Sequence, residues 1–206
     1  MIIGLSQRVD LNKEYNETRD CLDQNWYKVI KSNNCNVLPI PNCVKSFEAI
    51  LSNVEIGGFI LTGGNDISSL RGSKNISKER DEIERIILDF SMKRKLPLLG
   101  VCRGFQMMNI YLQGSLSKVT GHVNTINSVQ IIENDFFKMQ EIEVNSYHEW
   151  GINKKDLSSH LHPLAFASDG SIEAAYHNEL NWMGIMWHPE RGESQIDKDI
   201  FKKLFS

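Results

Sequence analysis

The chain has 206 residues, of which 41% are hydrophobic and 24% charged, a composition that is ordinary for a globular protein. Lysine and arginine number 23 against 26 aspartates and glutamates, and the formal net charge of −3 argues against nucleic acid or an anionic membrane as partner. A chain of this length is long enough for one domain and short for two, and it contains no repeat or linker-like stretch. We therefore expect one domain over residues 1–206.

The N-terminus and the cysteines indicate a reducing compartment. Residues 1–6 lack a basic segment and are too short for a signal peptide, and no later window approaches the roughly 18 apolar residues of a membrane helix. The four cysteines show neither CxxC pairing nor metal-type spacing. We expect a cytoplasmic protein whose cysteines are all thiols, namely Cys21, Cys35, Cys43 and Cys102.

The first half of the chain alternates short apolar runs with helical patterns, which is typical of an α/β sheet covered by helices. Apolar residues at helical spacing predict two helices, and Asp81 and Glu82 are suitably placed in the first turn of the second. The predicted strands are residues 1–6, 37–40 and 58–62, and the predicted helix faces are Leu22, Trp26, Val29 and Ile30, then Ile83, Ile86, Ile87 and Phe90.

The second half of the chain begins with residues 96–101, which are apolar almost throughout, as in a central strand buried on both faces. Residues 105–112 are predicted to form the next helix. Further strands are predicted at residues 127–132, 141–146, 164–168, 171–176 and 182–187, followed by a closing helix with Ile196, Ile200, Phe201 and Leu204 on one face.

The pentapeptide GVCRG at residues 100–104 lies where the buried strand gives way to a helix. A glycine on each side of Cys102 permits the tight turn that lifts a nucleophile clear of a sheet. The helix N-terminus that follows favours thiolate over thiol, and thiolate is the reactive form. On the pentapeptide alone, a buried cysteine in a glycine-bounded turn is an equally good interpretation.

A cysteine nucleophile needs a base, and His188 is the best candidate among the six histidines. It follows a predicted strand, and the i, i+2 spacing to Glu190 aims both side chains to the same side while Pro189 fixes the backbone between them. His188 is then the proton carrier and Glu190 orients the ring. The alternative base is His148, whose neighbour Glu149 points away from it, and the pair His160 and His162 lacks the further ligands of a zinc site.

The glycine pair at residues 63–64 follows the third predicted strand. Glycines expose backbone N–H groups, and the N–H groups of Gly64 and Arg103 are candidates for an oxyanion hole. The segment lacks the GK[ST] ending of a phosphate-binding loop, so ATP binding is not expected. A plain turn is the alternative interpretation of the glycine pair.

Three motifs in order resemble the class I glutamine amidotransferase-like family, in its γ-glutamyl hydrolase branch (peptidase C26). They are LGVCRGFQ at residues 99–106, SDGSIEA at residues 168–174 and WHPE at residues 187–190, with lesser matches at residues 61–66, 80–81 and 145–148. The resemblance runs over nearly the whole chain. It implies a flavodoxin-like three-layer α/β fold with a mainly parallel central sheet and a nucleophile elbow.

The resemblance also implies the chemistry, which is hydrolysis of a γ-glutamyl amide through a γ-glutamyl thioester on Cys102, with no cofactor and no metal. Cys102, His188 and Glu190 correspond to the catalytic triad, and the backbone of Gly64 and Arg103 to the oxyanion hole. The positions that correspond to glutamyl-binding residues are Gln106, Ser146, Tyr147 and the adjacent His148.

The leaving group is less well determined by the motifs. Lys118 and the pair Glu149-Trp150 depart from the family pattern. The compact length, in contrast, is most similar to that of the hydrolases of capsule phosphoramidate synthesis. This similarity implies that the substrate is a γ-glutamyl nucleotide phosphoramidate such as γ-glutamyl-CDP-amidate. Arg8 and Arg19, with Lys74, are candidates to bind its diphosphate, or else solvated surface charges. We expect a small-molecule substrate and no obligate synthase subunit. The alternatives are a γ-glutamyl-GABA or polyamine hydrolase, a glutaminase subunit that delivers ammonia to a synthase, and a non-catalytic module.

Overall fold

The computed structural model describes residues 1–134 and 137–206. Helices alternate with strands in the first half, and strands dominate the second half before a closing helix. The helices are α1 (Asn25–Ser32), α2 (Val44–Asn53), α3 (Lys78–Arg94), α4 (Arg103–Tyr111) and α5 (Gln195–Phe205). The strands are β1 (Ile2–Ser6), β2 (Arg8–Asn12), β3 (Glu17–Cys21), β4 (Asn36–Ile40), β5 (Gly58–Leu61), β6 (Leu98–Val101), β7 (Ser117–Lys118), β8 (Val123–Ile131), β9 (Gln140–Tyr147), β10 (Trp150–Gly151), β11 (Leu161–Ala167), β12 (Ile172–His177) and β13 (Trp182–Ile185).

A nine-stranded sheet in the order β4-β1-β5-β6-β13-β12-β11-β8-β9 forms the middle layer. From β4 to β13 neighbouring strands run parallel, and from β13 to β9 they run antiparallel. The strand β13 therefore joins a parallel half to an antiparallel extension. The predicted α/β fold class is confirmed, and the antiparallel extension is formed by the strand-rich second half of the chain.

The sheet separates two hydrophobic cores because its central strands are apolar on both faces. In β6, Leu98 packs into the core beneath α2, α3 and α4, whereas Leu99 and Val101 pack into the core beneath α1 and α5. All four residues of β6 are buried. This double burial is the reason for the uninterrupted apolar run in the sequence, and it fixes the strand end from which Cys102 follows.

Several predicted elements need correction. The hairpin of β2 and β3 and the helix α2 were absent from the sequence prediction. The hairpin has no buried residue, so no apolar alternation marks it. Leu22 precedes α1 rather than belonging to it. Glu82 lies beyond the first turn of α3, because that helix begins at Lys78 and carries Glu79 and Asp81 in its first turn.

None of the helices in the described part of the chain has an apolar stretch long enough to cross a bilayer. The carboxyl ends of β5, β6 and β13 lie side by side in the sheet. Residues 62–64, Cys102 and His188 follow these three ends, so three segments that are far apart in sequence meet at one edge. In open α/β sheets this edge is where ligands bind.

Candidate active site

Cys102 lies in a strained turn between β6 and α4. Its backbone has φ 51° and ψ −106°, which is unusual for a residue with a side chain. The turn depends on both flanking glycines: a Cβ on Gly104 would lie 2.0 Å from the carbonyl oxygen of Leu61, and one on Gly100 would lie 2.8 Å from the backbone of Phe105. Cys102 is the N-cap residue of α4, so its thiol lies at the positive end of the helix dipole.

His188 and Glu190 form a buried pair beside this turn. His188 Nδ1 lies 2.7 Å from Glu190 Oε1. Asn145 on β9 fixes the backbone of His188 by donating to its carbonyl oxygen and accepting from its N–H, both at 2.9 Å. Glu190 lies in a 3-10 turn, Pro189–Arg191, rather than on the extended segment expected from the sequence, so the turn is what brings the carboxylate back to the ring.

The charge state of His188 is set by its neighbours. Burial alone lowers the pKa of the ring, but the charge of Cys102 and its proximity to the ring, together with the hydrogen bond to Glu190, raise the pKa of His188 to about 10. Nε2 of His188 is buried and makes no hydrogen bond of normal geometry to any described residue. His188 is therefore an imidazolium at neutral pH, next to the sulfur that is to be activated.

The sign of this pKa shift gives a testable pH dependence. An ordinary histidine loses its proton near pH 6.5, whereas His188 keeps it up to about pH 10, so Cys102 has a cationic neighbour across that range. At roughly pH 6, alkylation of Cys102 by iodoacetamide is expected to be about 10- to 100-fold slower in His188→Ala than in the wild type, since a free thiol ionises near pH 8.5. Peptide mass mapping separates Cys102 from the other thiols, and the exposed His162→Asn is the matched control. Equal rates in wild type and His188→Ala would show that another group activates the sulfur.

The glycine pair after β5 lies against the same histidine. A Cβ on Gly63 would lie 2.6 Å from Cε1 of His188, so the ring and the loop pack without room for a side chain. Gly64 has φ +113°, which glycine adopts without strain. The N–H of Arg103 opens α4 and belongs to the first turn, where the helix supplies no acceptor. These are the two backbone groups expected to form the oxyanion hole.

A buried ionic network, most of which the sequence motifs do not predict, holds the Arg103 side chain. Arg103 pairs with Asp81 and Glu84 of α3. Glu84 also accepts from Arg80 at 2.9 Å and from the hydroxyl of Ser6 at 2.8 Å. Arg80 in turn donates to the carbonyl oxygen of Thr62 at 2.6 Å. The network therefore ties the residue after the nucleophile to the loop that carries Gly64.

The residues expected to bind the glutamyl group are Gln106 on α4 and Ser146 and Tyr147 at the end of β9, and we refer to them as the glutamyl wall. The amide of Gln106 donates to the carbonyl oxygen of Trp150 at 2.7 Å, and the hydroxyl of Ser146 donates to that of His122 at 2.8 Å. The Tyr147 ring meets the His188 ring edge to face at 5.6 Å. His148 faces His122 rather than the nucleophile, with ring centroids 4.8 Å apart, which disfavours it as the base.

The three departures from the family pattern lie together. Lys118 on β7 pairs with Glu149 at 3.7 Å and lies over the Trp150 ring at 5.3 Å, and β7 pairs with β10 through Trp150. Because the carbonyl oxygen of Trp150 also accepts a hydrogen bond from Gln106, the three residues that depart from the family pattern are adjacent to the glutamyl wall.

A narrow cleft runs beside His188 and Glu190, and two arginines line it. Arg8 was expected from the sequence and also pairs with Asp10 at 3.0 Å. Arg191 was missed, although it follows the WHPE motif directly, and it stacks over the Tyr147 ring at 4.0 Å. Arg19 pairs with Glu17 and does not line the cleft, and Lys74 is exposed on the loop before α3.

A strained cysteine after a central parallel strand, with a buried His–Glu pair at the neighbouring strand end, is the arrangement of a cysteine hydrolase on the class I glutamine amidotransferase fold. The model of the family Peptidase C26 matches residues 1–190, and the chain belongs to this family. Membership confirms the resemblance of the motifs and the predicted enzyme class, a cysteine-dependent amide hydrolase.

Individual relatives agree with this assignment. The chain is 36% identical over 210 residues to the gamma-glutamyl-CDP-amidate hydrolase of Campylobacter jejuni, covering 100% of this chain and 98% of the relative. It is 28% identical to the glutamine-hydrolyzing GMP synthase subunit of Methanocaldococcus jannaschii, covering 80% of each. The structure of PurLQS from Thermotoga maritima superposes with a TM-score of 0.67 at 16% identity, covering 98% of this chain and 96% of that one, which shows the shared fold.

Proposed function

We propose that this protein hydrolyses a γ-glutamyl amide, with Cys102 as nucleophile, and that its substrate is a γ-glutamyl nucleotide phosphoramidate of the γ-glutamyl-CDP-amidate type. The observation that carries the reaction is the pairing of a strained, N-capping Cys102 with a His188 whose pKa is raised to about 10. The substrate type is supported by the relative from Campylobacter jejuni and by the arginines beside the general acid.

In the first half-reaction the Cys102 thiolate attacks the γ-carbonyl carbon. A carbon–sulfur bond forms, and the carbonyl oxygen becomes an oxyanion that the N–H groups of Gly64 and Arg103 stabilise. The carbon–nitrogen bond then breaks as His188 transfers its Nε2 proton to the leaving nitrogen. Glu190 accepts a hydrogen bond from the Nδ1–H group throughout, without taking the proton, and so keeps the ring oriented.

In the second half-reaction water replaces the released amine. His188, now neutral, takes a proton from the water, whose oxygen attacks the thioester carbonyl carbon. The carbon–sulfur bond breaks, glutamate is released, and the thiolate and imidazolium are restored. One water is consumed for each amide bond that is cut, and neither half needs a cofactor.

The proposed leaving group follows from the position of the general acid. His188 protonates the leaving nitrogen, so the cleft beside His188 is the side from which the amine departs. Arg8 and Arg191 line that cleft, and two guanidinium groups suit a phosphate or diphosphate better than they suit a neutral or cationic amine. The glutamyl group then lies on the side of Gln106 and Ser146.

The direct test is glutamate release from a panel of γ-glutamyl amides: γ-glutamyl-CDP-amidate, γ-glutamyl-GABA, a γ-glutamyl polyamine and glutamine. We expect the phosphoramidate to have the highest kcat/KM. A higher value for γ-glutamyl-GABA or the polyamine would overturn the leaving-group assignment and leave the γ-glutamyl hydrolase standing. No turnover of any panel member by folded protein would overturn both.

Removal of the cleft arginines should affect phosphorylated substrates selectively. Arg191→Ala and Arg8→Ala are each expected to lower kcat/KM for the phosphoramidate about 10- to 100-fold, because a charge-assisted hydrogen bond is worth roughly 1.5–3 kcal/mol. The exposed Arg85 on α3 provides the matched control variant, Arg85→Ala. Equal losses with γ-glutamyl-GABA would mean that these arginines shape the site without binding a phosphate.

We further propose that the protein acts without a synthase subunit, as expected from its motifs. The similarity to the glutamine-hydrolyzing part of a GMP synthase makes the alternative specific, since a glutaminase subunit would pass ammonia from glutamine to a partner. Size-exclusion chromatography of untagged protein from its natural host, with glutaminase assays on each fraction, separates the two. A co-eluting partner that strongly activates glutamine hydrolysis would overturn independence. The cytoplasmic location stays a prediction.

A further inference from the structure

Three buried side chains outside the proposed triad converge behind the glutamyl wall. His122 precedes β8, His148 follows β9 and Glu173 lies on β12. His122 Nδ1 lies 3.5 Å and His148 Nε2 lies 3.6 Å from the same oxygen, Oε1 of Glu173. The three residues each offer one possible ligand atom, and these three atoms all lie within 4.8 Å of one another. The mechanism proposed above uses none of these three atoms.

The outer hydrogen bonds fix which ring nitrogens face the cluster. His122 Nε2 lies 3.0 Å from Asp169 Oδ2, and His148 Nδ1 lies 3.1 Å from the carbonyl oxygen of Trp150. A carboxylate and a carbonyl oxygen only accept, so these two nitrogens carry the protons. In the neutral rings, His122 Nδ1 and His148 Nε2 are therefore lone pairs. Metal-binding histidines are held by outer partners of this type.

The cluster consequently consists of three acceptor atoms that face one another. None of them supplies the positive charge that would stabilise this arrangement. Glu173 and His148 are buried, and His148 Nε2 and Glu173 Oε2 have no hydrogen-bond partner in the described part of the chain. Glu173 makes its described ion pairs with the two histidines and with no lysine or arginine. Burial of an unpaired carboxylate is costly, so the cluster needs a compensating positive charge, which a bound cation or one added proton would supply.

We propose that His122 Nδ1, His148 Nε2 and Glu173 bind a divalent transition-metal ion of the Zn²⁺ type. Two imidazoles and one carboxylate form a ligand set that suits Zn²⁺ and its neighbours rather than Mg²⁺ or Ca²⁺. Among the described residues, two other side chains contact the ligand atoms of the cluster: Asn127 Nδ2 lies 2.9 Å from His122 Nδ1, and Ser171 Oγ lies 3.4 Å from Glu173 Oε1. Metal binding displaces the Asn127 amide from the His122 lone pair.

The ion would stabilise the wall that faces the glutamyl group. The carbonyl oxygen of Trp150 binds both His148 and Gln106, and that of His122 accepts from the Ser146 hydroxyl. Fixing both histidines therefore fixes the segment that carries Ser146 and Tyr147. The proposed role is structural, so it does not depend on which amine the enzyme releases.

Metal content of the folded protein tests the site directly. Untagged wild-type protein is freed of metal with a chelator, loaded with a slight excess of ZnSO4 and dialysed against metal-free buffer. It is expected to retain about one Zn²⁺ per chain, whereas Glu173→Gln should retain below about 0.1. The exposed His162→Asn is the matched control and should retain the wild-type amount. Wild-type protein that retains below about 0.1 Zn²⁺ per chain would overturn the proposal and favour an added proton within the cluster. Retention by Glu173→Gln equal to that of the wild type would overturn the assignment of this ligand set.

A second measurement covers the case in which Glu173→Gln does not fold. Zn²⁺ at about 100 times its Kd should raise the Tm of the metal-free wild type by roughly 5–10 °C. Co²⁺ in its place should give the visible absorption of a four- or five-coordinate site. An unchanged Tm together with the spectrum of hexa-aqua Co²⁺ would overturn the proposal. Neither readout measures hydrolysis, so failure of the proposed function would leave this result unaffected.

Discussion

Replacement of Cys102 by alanine is expected to lower kcat for γ-glutamyl amide hydrolysis by on the order of 10⁴–10⁶, with little change in the Tm. The physical reason is that the covalent route disappears, whereas the oxyanion hole and the binding residues remain and leave residual catalysis over water. The side chain is small and buried, and the turn that holds it is fixed by Gly100 and Gly104 rather than by the sulfur. The measurement is glutamate release under saturating substrate, paired with thermal unfolding of the same preparations.

A covalent trap makes this prediction specific to the thioester. Acid quenching of wild-type protein during turnover should reveal one glutamyl group on the peptide that contains Cys102, and Cys102→Ala should show none. Cys35→Ala, which removes another buried thiol, is the matched control and should keep both the adduct and the activity. An adduct on a different residue, or full activity in Cys102→Ala, would contradict the nucleophile assignment and would support a non-catalytic or differently organised site.

The parts of this site that the sequence predicts are those with local patterns. The apolar run before Cys102 and the two glycines around it define strand, turn and helix within a few residues, and the structure has all three there. His188 and Glu190 are separated by one residue, so their hydrogen bond was also accessible from the sequence. In each case the sequence signal lies within a few positions, although the geometry is also fixed by the distant residues Asn145 and Leu61.

Long-range contacts are where sequence reasoning failed. The bond from Ser6 to Glu84 spans 78 residues, and nothing in the helix pattern around Glu84 marks it as buried rather than solvated. The convergence of His122, His148 and Glu173 depends on the antiparallel order of β8, β9, β11 and β12, which a single sequence does not specify. Arg191 shows a third kind of failure, because only the structure shows that it lines the cleft beside His188 and lies over the Tyr147 ring.

The buried network around Glu84 carries the second large prediction, because one carboxylate there serves two arginines. Arg80 and Glu84 are fully buried, and Arg103 is nearly so. Burial and the Arg103 charge lower the pKa of Arg80 to about 10, against the opposing effect of Glu84, so Arg80 remains charged at neutral pH. Loss of the negative charge would leave Arg80 as a buried cation without an ionic partner, whereas Arg103 would retain Asp81.

Glu84→Gln is therefore expected to reduce the free energy of unfolding by about 3–5 kcal/mol, which corresponds to a Tm lower by roughly 6–20 °C for a chain of this size. Urea unfolding measures the change. Glu82→Gln, on the exposed face of the same helix, should stay within about 0.5 kcal/mol of the wild type. Activity should fall as well, since the network links the Arg103 turn to the loop of Gly64 through the carbonyl oxygen of Thr62. A Glu84→Gln protein as stable as Glu82→Gln would mean that water reaches the two arginines, and the network would then position the oxyanion hole only weakly.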